Sequence, residues 1–310
     1  MTRHRFSALI SASAILAAVP LASCDAPTEE QKIASSAASE VSSSERADDN
    51  SAEAESASEA GTALASEKEW KGVNGGRRSR EARAHAEERG YESTVEAIDS
   101  AEPVEKRSAE ELNRALVEES KEGDLQAVAN LLVAGAKVDA VDGFGRTPLL
   151  WAVTNDHIEV AELLLSFGAN VNAVDEQKDT PWLVTGVTGS ADMGLLILGY
   201  DVDFSLYNRY GGTPIIPASE RGHLDYVQVM VQEPKITVDY LNHINNIGWT
   251  ALLEAVILGD GSEDYQEIVR TLIDAGADPT IADADGKTPL DHARAGGQRE
   301  VAAILQKATR

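Results

Sequence analysis

The sequence predicts an all-α fold, a solenoid of helix-turn-helix repeats joined by β-turn fingers and preceded by a disordered N-terminal arm. Three observations carry it. Thr-Pro recurs at Thr147-Pro148, Thr180-Pro181 and Thr213-Pro214, each 33 residues apart. Composition changes near residue 107, from Ser, Ala and Glu to a mixture rich in Leu, Val and Ile. Beyond that point the apolar residues fall at helical rather than alternating spacing. The expected division is 1–23 as a leader, 24–107 as linker and 108–310 as the repeat domain.

At the N-terminus, Arg3, His4 and Arg5 precede an uncharged stretch from Phe6 to Ser23. A basic segment followed by a short apolar one is the order of an export signal. The stretch ends Leu21-Ala22-Ser23-Cys24, which resembles the lipobox of bacterial lipoproteins. The resemblance implies that Cys24 is acylated and becomes the mature N-terminus, on the periplasmic side of a bacterial membrane. Asp25 behind it favours the inner membrane, by the sorting rule of enterobacterial lipoproteins. The competing readings are an ordinary cleaved signal or a spanning anchor. Pro20 interrupts a run of about 18 apolar residues, near the lower limit for a span.

From Ala26 to about Glu67 the chain is dominated by Ser, Ala and Glu, with too few large apolar side chains to offset chain entropy. Between Lys71 and Arg89 the local charge turns basic, with Arg77, Arg78, Arg80, Arg83 and Arg89. Interleaved Glu81, Glu87 and Glu88 favour a solvated, transiently helical linker. A basic patch for phospholipid headgroups or for the chain's own acidic domain is the alternative.

The repeat domain begins at Ser108. Its clearest unit runs from Asp142 to Val171, DGFGRTPLLWAVTNDHIEVAELLLSFGANV. Thr147 suits a helix N-cap and Pro148 the first turn, where no amide donor is needed. Leu149, Ala152 and Val153 share one face of the first helix. Ile158, Val160, Ala161, Leu163 and Leu164 supply the second, and Gly168 ends it in the left-handed conformation. After Thr213 the signal returns as Thr250-Ala251 and Thr288-Pro289, 37 and 38 residues on. The 33-residue period with this Thr-Pro-Leu unit resembles the ankyrin repeat, over roughly residues 108–308, in about six copies. NRYGGTPIIPASERGH (208–223) and NNIGWTALLEAVILGDGSEDYQEIV (245–269) resemble a subgroup of bacterial envelope ankyrin proteins. The first unit has no Thr-Pro and reads as an N-terminal cap with a polar outer side. In the third, Thr185 and Gly186 replace a small apolar pair, so that unit is expected to be the loosest. Pro217 falls within an expected helix.

The ankyrin resemblance implies a partner on the concave face made by turn tips and first helices. Transferred position by position, it implies Phe144, Arg146 and Asn155 in the second unit, Arg209, Tyr210, Glu220 and Arg221 in the fourth, and Asn246, Trp249, Ile257 and Leu258 in the fifth. Trp, Tyr and Arg dominate binding hot spots. Ile257 and Leu258 have a second reading, as core beneath a loop at 259–264. Trp151 and Trp182 read as packing residues. His157 and His223 occupy one repeat position and are expected to support the turn between helices, while His243 and His292 lack ligand spacing. Asp283 and Asp285 share a turn without the spacing of a calcium loop.

With a net charge of −25 and a single cysteine, the chain is a poor candidate for nucleic-acid binding and has no internal disulfide or Cys-based metal cage. The expected partner is a protein, with a basic patch complementing that charge, and the membrane is reached through the lipid on Cys24. No cofactor, metal, small-molecule substrate or enzymatic activity is expected. The alternatives are an enzyme or metal-dependent accessory in the irregular third to fifth units, and a passive spacer.

Overall fold

The computed structural model describes residues 76–310. Cys24, Asp25, the leader and the Ser/Ala/Glu-rich arm lie outside the described residues. Six helix pairs follow one another: α3 (Ala109–Glu122) with α4 (Leu125–Val133), α5 (Pro148–Thr154) with α6 (Ile158–Ser166), α7 (Pro181–Thr188) with α8 (Ala191–Leu198), α9 (Ile215–Glu220) with α10 (Leu224–Met230), α12 (Ala251–Ile257) with α13 (Glu263–Asp274), and α14 (Pro289–Ala295) with α15 (Arg299–Ala308). First helices pack in one row and second helices in another. The short α11 (Val238–Leu241) follows α10 and takes up the extra residues between the fourth and fifth Thr signals.

The threonines cap as their spacing predicts. Thr147, Thr180, Thr250 and Thr288 each accept the amide three residues on, with proline in the first turn after three of them. Ser108 does the same for α3 in a capping box with Glu111. Thr213 is the exception. Pro217 has no amide to give the Thr213 carbonyl, and Ile216 N donates to that carbonyl instead at 3.2 Å. The buried Thr213 hydroxyl is left without a partner.

One continuous core runs through all six pairs, with Leu116, Leu149, Leu163, Met193, Ile215, Met230, Leu272 and Leu305 fully buried. The third repeat is not slack. Thr185 Oγ1 donates to the Trp182 carbonyl and meets Tyr226 Oη, both at 2.7 Å, while Gly186 lies hard against the backbone of Pro214. Trp182 donates to Tyr240 Oη at 3.0 Å, with Phe204 edge-on to both rings. Trp151 and Trp182 are thus buried, as expected.

The structure departs from the expected 24–107 linker over its last third. α1 (Arg77–Arg89) and α2 (Glu92–Asp99) form a hairpin packed on the second helices α4 and α6. Ala82, Ala86 and Ala97 are buried there, small residues that let the hairpin lie close, and Ile98 is buried with them. Arg83 grips Asp99 through two bonds of 2.6 and 2.8 Å. Arg78 reaches the Ala136 carbonyl and the Phe167 ring, and Arg89 the Gly199 carbonyl and the Tyr200 ring. The basic stretch therefore serves the chain's own repeat domain. Composition understates this segment because its buried surface comes mainly from alanines and arginine contacts, with Ile98 the one large apolar side chain fully buried in it.

Candidate functional site

Five fingers connect the repeats, and one acidic or amide side chain builds each. Asp142, Asp175, Asn208, Asn245 and Asp283 each accept, through Oδ1, the amides two and four residues on. Each also donates its own amide to the carbonyl four residues on. The position between must take positive φ; glycine fills it in four fingers and Lys178, at φ 63°, in the fifth. Backbone bonds join neighbours, from Glu176 N to Phe144 O at 3.0 Å and from Asn246 N to Tyr210 O at 2.9 Å.

In three of the five fingers the same Asp or Asn also reaches the first helix nine residues on. Asp142 Oδ2 accepts from Trp151 Nε1 at 3.0 Å, Asn245 donates to Glu254 Oε1 at 2.9 Å, and Asp283 pairs with His292 at 2.7 Å. In those three repeats the finger is thereby tied to the first helix.

On that surface Phe144 and Tyr210 are more than half exposed. Arg146 stands 4.8 Å over the Trp151 ring and 3.4 Å from the buried Asp175. Arg209 spans two fingers, bonded to Gln177, 3.6 Å from Asp179 and stacked 4.8 Å over Tyr210. Burial, reinforced by Asp175, pushes Asp179 up to about 6 against the pull of Arg209 and Arg146. Burial likewise pushes Glu254 up to about 7, with Glu220 adding repulsion and the Asn245 amide opposing it. Glu220 is raised too, by its own burial.

The remaining predicted contact residues divide. Arg221 and Asn246 are exposed, and Trp249 is half-buried. Asn155 is exposed but committed, since its amide donates to the Lys121 carbonyl at 2.7 Å and holds the end of α3. Ile257 and Leu258 are half-buried and stand outside the continuous core. His157 and His223 bond the Lys121 and Val187 carbonyls of the preceding repeat, at 3.0 and 3.2 Å, which is the turn-supporting role expected of them. His243 stacks on Tyr207 and bonds Gly211 O. Among the described residues no cluster of His, Cys, Asp and Glu is arranged to hold a metal ion, and no helix is long and apolar enough to cross a membrane.

Sequence reasoning missed the residue before the Asp or Asn in the first four fingers. Val141, Val174, Tyr207 and Ile244 are all exposed. Their signal was legible as the period of the threonines, six residues upstream of each.

A family model described as ankyrin repeats, three copies, matches residues 116–204 and 187–283. The Escherichia coli K12 ankyrin repeat protein YahD is 33% identical over 186 residues, 60% of this chain and 91% of YahD. A solved ankyrin repeat domain from Acinetobacter baumannii AYE is 42% identical, covering 63% of this chain and 97% of that one with a TM-score of 0.58. An ankyrin repeat protein from Enterococcus is 37% identical over 63% of this chain and 98% of its own, with a TM-score of 0.59.

Proposed function

The chain belongs to the ankyrin-repeat family, and from that premise we propose that it is a protein-binding scaffold tethered to a bacterial envelope membrane. The observation that carries the binding half is the finger and first-helix surface. It exposes Phe144 and Tyr210, with Arg209 stacked on Tyr210 and Arg221 exposed at the end of α9, on a framework fixed by the finger hydrogen bonds. Exposed aromatic and arginine side chains on rigid backbone are what an interface uses, because little side-chain entropy remains to be lost on binding. No arrangement on this surface favours catalysis over binding, so we read the chain as a scaffold or accessory to another envelope protein.

The tether rests on sequence: Arg3 to Arg5, the apolar stretch and Leu21-Ala22-Ser23-Cys24. Lipid on Cys24 would hold the protein on the periplasmic side, with Asp25 favouring the inner membrane. The residues between Cys24 and the α1–α2 hairpin would then space the repeat domain from the bilayer.

Affinity capture from detergent-solubilised membranes tests the binding half. The intact protein should recover a partner that a variant with Arg209, Tyr210 and Trp249 changed to Ala does not. Equal recovery from both refutes it. Cys24→Ala tests the tether: an unchanged mature mass and unchanged partition into membranes refute lipidation.

A further inference from the structure

Of the ten large apolar side chains that stand exposed among the described residues, seven belong to the fingers. Val141, Val174, Tyr207 and Ile244 precede the finger Asp or Asn, and Phe144, Tyr210 and Ile247 follow it by two residues. Each is between 38% and 60% exposed. Scattered exposed apolar residues are ordinary on a protein surface, but apolar side chains at seven of the eight equivalent positions in four successive fingers form a patterned row. The bonds from Glu176 N to Phe144 O and from Asn246 N to Tyr210 O fix parts of it in register.

The row is interrupted once, at Gln177, and Arg209 lies across that gap with its guanidinium over Tyr210. The aspartates of these fingers are engaged inward. Asp142 holds Trp151 and two backbone amides, and Asp175 is only 6% exposed. In these four fingers the charged residues left exposed are Glu176, Lys178 and Arg209. In a chain of net charge −25, this crest is apolar and close to neutral. The whole-chain charge would draw a basic partner; the crest would not select one.

We propose that the finger crest docks an extended apolar segment of the partner that carries one carboxylate opposite Arg209. This rests on the reading of the finger surface as the partner's seat and names the chemistry it selects. An extended strand turns alternate side chains to one side, about 6.7 Å apart, and so can present one apolar side to the crest. The guanidinium has five donors in a planar fork matched to a carboxylate, and Gln177 and Asp179 do not use all of them.

Selection from a phage library of random peptides of about twelve residues, panned on the full chain, tests this. Enriched peptides should carry Val, Ile, Phe or Tyr at alternate positions together with one Asp or Glu. Val141→Ser combined with Ile244→Ser, both surface changes, should lower recovery roughly tenfold. Arg209→Ala should keep the apolar pattern and lose the acid preference. Enrichment of basic peptides, a helical spacing of apolar residues, absence of any enrichment, or equal recovery on the serine variant overturns the proposal. So does self-association that the serine variant abolishes in sedimentation, or binding to neutral phosphatidylcholine vesicles, which would assign the crest to a second copy or to lipid. A partner captured from membranes by the serine variant but lost with Arg221→Ala and Ile257→Ala overturns the crest alone and leaves the scaffold reading standing. Capture of no partner by any form overturns the scaffold reading itself.

Discussion

Gly186, in the third repeat's first helix, lies so close to Pro214 of the fourth that a Cβ on the glycine would overlap the proline carbonyl. Two local rules conflict there. Gly186→Ala raises helix propensity by about 1 kcal/mol, whereas forcing a methyl into packed backbone costs about 3 kcal/mol. Packing wins, because the obstructing atom is main chain and moves only with the next repeat. We expect Gly186→Ala to lower the melting temperature by about 5 °C or more, read by circular dichroism. An unchanged or higher melting point would mean that the repeats part there at little cost.

Lys178 sets the opposite test, a position where glycine should help. The equivalent residues are Gly145, Gly211, Gly248 and Gly286, all at positive φ, while Lys178 holds φ 63° with a Cβ. The left-handed conformation costs a non-glycine residue about 1–2 kcal/mol, and glycine returns about half of that through chain entropy. Lys178→Gly should therefore stabilise by up to about 1 kcal/mol in urea denaturation. A loss of stability would show that the exposed lysine has a role in the fold beyond its backbone angle.

The threonine caps, paired helices and buried tryptophans were legible because each depends on residues close in sequence or repeated at a fixed period. The exposure of Phe144 and Tyr210 followed from their finger positions. The firmness of the third repeat did not. Thr185 and Gly186 look like defects until Tyr226 and Pro214, a repeat away, supply a hydroxyl partner and a close-packed backbone. Asn155 carries the same lesson on the site, since its amide is spent on Lys121 of the preceding repeat. The α1–α2 hairpin escaped because its apolar contact with the stack is made by three alanines and Ile98, too sparse a pattern to stand out, and is completed by the carbonyls and rings that Arg78 and Arg89 reach.

That hairpin is the element most open to local opening, since its contacts are with α4, α6 and one edge of α8 rather than with a repeat on either side. Ala82 is 1% exposed on α1, and Ala82→Asp would bury an unpaired carboxylate. Releasing the hairpin is the cheaper outcome, as the six repeats keep their own core. Hydrogen exchange should show amides of residues 77–99 losing protection while α5, α7 and α12 retain theirs. Loss of protection throughout would make the hairpin part of one cooperative unit with the stack.

The Asn245–Glu254 pair gives the stability of the stack a pH dependence of unusual sign. Glu254 is 5% exposed and titrates near 7, well above an unfolded glutamate, because burial and Glu220 disfavour its charge more than the Asn245 amide favours it. Between those two values the folded chain keeps a proton that the unfolded chain has released. The stabilisation is therefore complete below the unfolded pKa and is lost as pH rises through about 7. Asp179, near 6, acts in the same direction over a lower window. Glu254→Gln keeps an oxygen for Asn245 and removes the charge. It should match the wild type at pH 5 and exceed it at pH 8 by about 1–3 kcal/mol. Urea midpoints at intervals between those two pH values measure this directly. Parallel profiles for the two proteins would mean that Glu254 ionises on the inner face as readily as in the unfolded chain, its charge hydrated in both states.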